Sequence, residues 1–499
     1  MPVATPQPHK HFLLMSFRKS RVVAASVALL LASSCDDDPA GPDLREPGIR
    51  VIAGGSADTV TARPVQALII EARGEGGALA IGKVVRFSTI SPPFSPSAPP
   101  PALVFVSALT ANFFNTFTAD TADHEGKAAV LLGMGTVAGE ASLEISVPEL
   151  GVADTITITI QPGAPARARF NVRDTVLLTD SSFALSAPLV DRFNNPRTEL
   201  ATLVNRTPTV CSLTGNQVKG TVMGRCTIEA QHDEMRDTAR ASVLPFARFA
   251  VVASGQSFRL VSTNGTGLKN ILAIFDQVLS PGWAPDGSAL VIYEGDPTTS
   301  ARLSIVDTNG VKLRTVGQNA DMNLASFGRF SPDGQWVYFT GRAASLDPFL
   351  IWRMKPDGSQ RTAVTTTDGG VPFRVDASPD GVTIAYDLAN QIILANVNTQ
   401  QKTPTGVQGV APSFSPDGQT IAYYGPGGNE LRVMNANGTN VRTVLGGGFL
   451  EWQPPQWTSD SQWLLVSGPR FVNVADSTVI TVPTLSGYQQ IALKPPLGQ

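Results

Sequence analysis

At 499 residues the chain is long enough for about three domains. A formal charge of −3 gives no sign of a nucleic-acid partner, and charged residues, at 16%, fall well below the usual quarter. All four histidines (His9, His11, His124 and His232) precede residue 246, which excludes a Ser-His-Asp hydrolase or a histidine-ligated metal enzyme built on the C-terminal half alone. The 45 glycines and 38 prolines suit many short strands and turns, and 42% hydrophobic residues suffice for substantial cores.

The chain opens with a basic stretch at residues 15–21, Met-Ser-Phe-Arg-Lys-Ser-Arg, followed by an apolar run over residues 22–31. That run is too short to span a bilayer comfortably and reads as a signal peptide. Met15 is an alternative start, since residues 1–14 add nothing a signal peptide needs. Ala32-Ser33-Ser34-Cys35 follows, and small residues ahead of a cysteine resemble the lipobox of bacterial lipoproteins, with Ala32 where leucine is commoner. The resemblance implies cleavage before Cys35, lipidation of its thiol and a stable membrane anchor. A plain secretory peptide with an incidental cysteine is the alternative. Residues 36–47, with Asp36-Asp37-Asp38 and several breakers, read as an acidic tether.

Residues 48–163 alternate in the β manner, with strands expected over residues 66–72 and 84–88 and a surface loop over the proline-rich residues 91–101. Asp123-His124-Glu125-Gly126-Lys127-Ala128-Ala129-Val130, then Thr136-Val137-Ala138-Gly139, then the Thr/Ile alternation of residues 155–160 resemble the bacterial Ig-like domain of the invasin and intimin adhesins. His124 falls in an expected turn. Residues 164–245 look like a second, more divergent module. Its three short strands would place Cys211 and Cys226 close together. With Cys35 assigned to lipid, these two are left as a pair in an oxidising compartment, either joined in a disulfide or buried as thiols.

Residues 246–499 carry one phrase five times: Trp283-Ala284-Pro285-Asp286-Gly287, Phe330-Ser331-Pro332-Asp333-Gly334, Ala377-Ser378-Pro379-Asp380-Gly381, Phe414-Ser415-Pro416-Asp417-Gly418 and the worn Trp457-Thr458-Ser459-Asp460. The aspartates lie 47, 47, 37 and 43 residues apart, a period that four-stranded propeller blades occupy. Proline presets φ, Asp bonds its own backbone and Gly takes positive φ, so each triplet is a turn joining strand A to strand B. A second hairpin follows, with turns such as Thr308-Asn309-Gly310, Pro356-Asp357-Gly358 and Ala436-Asn437-Gly438. Six outer hairpins stand against five inner ones. The missing inner pair is expected from both ends of the region, residues 249–252 as strand B and residues 488–493 as strand A. Sharing a blade in this way removes exposed sheet edges.

The phrase aromatic-Ser-Pro-Asp-Gly-x-x-Ile-Ala-Tyr, followed by Leu-x-x-Met-Asn-x-Asn-Gly-Thr, resembles the propeller repeat of TolB and its relatives over about half the chain. The resemblance implies protein partners, peptide segments included. No P-loop, dinucleotide fingerprint or zincin motif occurs, and Gly446-Gly447-Gly448 lacks the Lys and Ser of a phosphate cradle. The repeated aspartates read as turn residues, not as metal ligands, and no cofactor is expected. Loops entering strand A carry the candidate binding residues Asp321, Arg374, Asp376, Glu451 and Trp452, with Asp276 beside them.

The expected architecture is therefore all-β: two Ig-like sandwiches followed by a six-bladed propeller closed by a shared first and last blade. The expected function is a lipid-anchored binding protein of the bacterial cell envelope, periplasmic or at the cell surface, not an enzyme, with a protein or envelope polymer as partner. One alternative is a carboxylate-based glycan hydrolase or lyase in the propeller channel, which needs two facing acids. Another is an adhesin-like stalk with the propeller as spacer.

Overall fold

The computed structural model describes residues 46–495 apart from 56, 65, 93–95, 98, 112, 254–256, 274–277, 295–300, 317–322, 325–327, 345, 368 and 450–452. The apolar run, Cys35 and the acidic tether lie outside the described residues. Among those described, the fold is all-β, and no helix is long and apolar enough to cross a membrane. The chain divides into two compact units, one ending at Ile160 and the other running from Gln161, with the Thr136–Ala138 turn counted in the second.

The first unit has two sheets. One is ordered Gly48–Ala53, Leu68–Arg73, Lys127–Met134, Val104–Ser107. The other is ordered Asp58–Thr59, Val152–Gln161, Gly139–Val147, Val84–Ile90, Phe117–Thr121. Burial alternates along their strands: Leu68, Ile70 and Ala72 on one sheet, Val85, Phe87, Leu143 and Ile145 on the other. This is the pattern of two sheets covering each other's apolar face. At the Asp123–Gly126 turn the Asp123 carboxylate accepts from the amides of Glu125 (2.8 Å) and Lys127 (3.0 Å), and Gly126 takes φ +70°. The spacing in that stretch is therefore turn chemistry.

The second unit begins with three smaller sheets. Cys211–Thr214 pairs with Gln217–Gly220 in one, and Gly224–His232 pairs with Met235–Leu244 in another. A disulfide joins Cys211 and Cys226 between them, with a Cα–Cα distance of 5.7 Å. Both cysteines sit in an apolar cluster with Leu185, Leu189, Val218, Ile228 and Val243.

Six antiparallel sheets follow among the described residues. The first is ordered Lys269–Ala273, Ser257–Ser262, Arg248–Ala253, Tyr488–Leu493, so its innermost strand comes from the far end of the region. Its register pairs Val251 with Ile491 and Ala250 with Ala492. The innermost strands of the other five sheets are Val278–Trp283, Arg329–Phe330 (with Asn323–Leu324), Pro372–Ala377, Val410–Phe414 and Gln456–Trp457. These strands stand side by side around a channel: Val278–Trp283 lies between Tyr488–Leu493 and Arg329–Phe330, and Val410–Phe414 between Pro372–Ala377 and Gln456–Trp457. Sheets set radially around a channel make a propeller.

The Ser-Pro-Asp-Gly turns share one hydrogen-bond plan. Ser331, Ser378 and Ser415 each donate a hydroxyl to the aspartate two residues on, and each accepts the amide five residues on at 2.9 Å. Thr458 does the same in the worn copy. Gly334, Gly381 and Gly418 take φ of 70°, 68° and 72° there.

Residues 164–245 and 246–499 were expected as separate domains, yet they fall in one compact unit. The reason is a shared core. Leu244, at the end of the strand Met235–Leu244, is fully buried with Phe249, Val251, Phe471, Ile480 and Ile491 of the propeller.

One turn departs from its ideal. Ala389 (φ 49°) and Asn390 (φ 63°) connect Thr383–Leu388 to Gln391–Asn396, where two left-handed residues are required. Alanine there costs about 1 kcal/mol. Replacing the pair by Asn-Gly (Ala389→Asn with Asn390→Gly) is expected to raise unfolding stability by about 1 kcal/mol in urea titration. An unchanged midpoint would show that the turn carries no strain.

Candidate binding site at the channel mouth

Each inner strand ends in the residue that opens the repeated phrase, and six such ends converge. Trp283, Phe330, Ala377, Phe414, Trp457 and Leu493 occupy equivalent positions, one per sheet. Two residues further on stand Pro285, Pro332, Pro379, Pro416, Ser459 and Pro495. Together these twelve positions line a cavity of about 690 Å³ at the mouth of the channel. Leu493-Lys494-Pro495 thus acts as a sixth copy of the phrase. No Asp-Gly follows Pro495, which hides the copy in the sequence. The signal that would have revealed it is the match of Leu-Lys-Pro to Trp-Ala-Pro.

Hydrogen bonds from one sheet to the next hold this mouth together. Gln456 accepts from the Leu493 amide (2.8 Å) and donates to the Ile491 carbonyl (2.6 Å), sealing the last sheet to the first. Asp376 accepts from the Phe414 amide (2.8 Å), the same kind of contact two seams earlier. The indole N–H of Trp283 donates to the Ala492 carbonyl (3.1 Å), and that of Trp457 to the Ser413 carbonyl (3.0 Å). Away from the mouth, at the other end of Pro372–Ala377, Thr340 donates across its seam to the Phe373 carbonyl (3.1 Å). Polar groups are thereby spent on the collar, and aromatic and proline surface is left facing the cavity.

Three charged groups belong to this wall. Lys494 lies 5.4 Å from the centre of the Trp283 ring, and burial lowers its pKa. The Asp286 carboxylate is held below its usual range by the amide and hydroxyl of Ser288. Burial raises Asp376, with the Arg329 guanidinium pulling the other way, and the same burial lowers Arg329. Both are partly buried, and Asp376 lines the cavity. Desolvation is the larger effect on both groups.

The expected binding residues fare unequally. Asp321, Glu451 and Trp452 lie outside the described residues, as does Asp276. Arg374 and Asp376 are on the strand Pro372–Ala377 and not in a loop entering it. Asp376 lines the cavity, at the opposite end of its strand from the loop that was expected to carry it. Arg374 is not a surface anchor. Its side chain is 13% exposed and pairs at 3.3 Å with Asp387, itself 7% exposed. Two charges taken out of water are stable only in each other's company.

The Arg374–Asp387 pair gives a pH dependence. Burial pushes the Asp387 carboxyl up to about 6, against the pull of Arg374, and its other oxygen accepts from the Ala411 amide (3.2 Å). The folded state therefore binds this proton more tightly than the unfolded chain does. The associated stability is complete below about pH 4 and is lost as pH rises through 6, a change on the order of 2 kcal/mol. In melts from pH 4.5 to 7, the wild type is expected to lose stability relative to Asp387→Asn. Parallel curves would contradict this.

No family model matches the chain, and no curated protein does. Among solved structures it is similar to TolB from Acinetobacter baumannii, with 20% identity and a TM-score of 0.40 over 50% of this chain and 67% of that one. It is also similar to a putative TolB from Agrobacterium tumefaciens, with 15% identity and a TM-score of 0.38 over 49% of this chain and 91% of that one. A nidogen/laminin complex matches at 12% identity and a TM-score of 0.38, over 50% of this chain and 98% of that one.

Proposed function

We propose that the chain is a lipid-anchored binding protein of the bacterial envelope. In this reading Cys35 carries the anchor, two Ig-like modules form a stalk, and the six sheets are six blades that present the channel mouth to a protein partner. The observation that carries it is the cavity of about 690 Å³ walled by Trp283, Phe330, Phe414, Trp457 and a ring of prolines. Rigid aromatic and proline surface around a concave mouth suits an inserted apolar side chain or an extended peptide segment, because little entropy is lost on contact.

The enzyme reading has less support. The carboxylates lining the cavity are Asp286 and Asp376. The first is engaged by its own turn and the second by the Phe414 amide, so neither is presented as a free acid or base.

Photo-crosslinking in the native host tests the proposal, with p-benzoylphenylalanine placed in the full chain at Pro379 on the cavity rim or at Glu140 on the first sandwich. Adducts with a protein are expected at Pro379 and not at Glu140. Adducts at Glu140 alone would overturn the proposal in favour of an adhesive stalk.

A further inference from the structure

The second sandwich carries a cationic cleft apart from the propeller mouth. Arg167, Arg169 and Arg173 are exposed at odd positions of residues 167–173, while the intervening Ala168 and Phe170 are buried, at 3% and 5% exposure. The backbone of that stretch is fixed. The Arg169 amide donates to the Pro188 carbonyl (2.9 Å) and the Asn171 amide to Ser186 (3.0 Å), while the Arg173 carbonyl accepts from the Arg240 amide (2.6 Å). The Asn171 side chain braces the same stretch by accepting from the Ser186 amide (2.8 Å) and donating to Ala184 (3.3 Å).

The cleft measures about 510 Å³. Its polar lining is Arg167, Arg169, Arg173, Asn171 and Asn194, with no carboxylate among them. Arg167 donates to Asn194, and Arg173 pairs with Asp237 at 2.7 Å while its own side chain stays 59% exposed. Among the described residues Arg169 has no acidic partner. A chain of net charge −3 thus gathers three guanidiniums in one concavity, which focuses a positive field there.

We propose that this cleft binds a linear acidic polysaccharide. Alternate residues of extended backbone stand roughly 7 Å apart, which sets the spacing of Arg167 and Arg169, and Arg173 lies further along the same side, so the three guanidiniums can face successive anionic groups of one chain. The planar fork of each matches a carboxylate or sulfate in a bidentate manner. Beyond the bonds just given, the Asn171 and Asn194 amides each keep a second oxygen lone pair and at least one N–H, which can serve sugar hydroxyls, groups that a polyphosphate chain lacks.

The test is affinity electrophoresis of the full chain through gels holding polygalacturonate, dextran sulfate, neutral dextran or inorganic polyphosphate. Retardation by polygalacturonate and dextran sulfate, and none by neutral dextran, is expected. Arg167→Glu with Arg169→Glu should weaken it by about tenfold or more, and Arg169→Gln alone by about threefold. The charge-matched pair Arg50→Glu with Arg86→Glu, on exposed positions of the first sandwich, should retain it. Thermal melts recorded alongside show whether each variant is folded, and the Arg169→Gln result stands if the double variant is not. Equal loss in the control pair would overturn the proposal. So would retardation by polyphosphate alone, or no retardation at about 50 mM salt, where screening is weak.

Discussion

Ile491→Asp is expected to unfold the propeller or leave it barely stable. Ile491 is 2% exposed and lies in the cluster of Leu244, Phe249, Val251, Phe471 and Ile480. Its burial is worth about 2–3 kcal/mol. A carboxylate placed there meets no partner in that cluster and adds several kcal/mol more. The sum exceeds about 5 kcal/mol, close to the whole stability margin of an ordinary domain. The damage also spreads. The strand Tyr488–Leu493 supplies the carbonyl that holds Trp283 and both groups that hold Gln456, so loosening it opens two seams of the collar. Ile491→Val, which removes one methylene, should cost only about 1 kcal/mol. Urea unfolding followed by tryptophan fluorescence separates the two variants. A midpoint for Ile491→Asp near that of the wild type would mean the strand contributes little.

Loss of the disulfide comes next in size. Replacing Cys211 and Cys226 by alanine together should lower stability by about 3 kcal/mol, the cost of freeing a loop of 15 residues in the unfolded chain. Both sulfurs are also fully buried, so the cluster around Leu189 and Val218 loses packing. Because Leu244 links the sheets of residues 164–245 to the propeller core, the melting of both should fall together and not in two steps. Reductant added to the wild type should give the same shift in calorimetry. An unchanged melting temperature under reduction would contradict the expectation.

These effects trace back unequally to the sequence. The turns were legible because their chemistry is local. Ser, Asp and Gly within four residues make the whole hydrogen-bond plan, whatever surrounds them. The Val251–Ile491 pairing was legible by counting, since an unmatched outer hairpin demands an inner pair. The nearness of Cys211 and Cys226 was legible from three short strands joined by tight turns. The position of the cavity was not legible. It forms where six strand ends converge, and no window of sequence contains that convergence. Loops were favoured as the binding face because charged and aromatic residues cluster there, yet Arg374 turned out to be spent on Asp387, a partner 13 residues away. Lys494 and Pro495 were missed because only the first half of the repeated phrase survives in them. The core shared across Leu244 was hidden for a similar reason, since burial by a separate sheet leaves no periodic trace.

Hydrogen exchange, followed by mass spectrometry on the full chain, tests most directly whether the ring is fastened by its own last strand. Peptides covering Tyr488–Leu493 should exchange as slowly as those covering Arg248–Ala253, the strand they pair with. Rapid exchange in the former beside slow exchange in the latter would leave the sixth wall of the cavity without support.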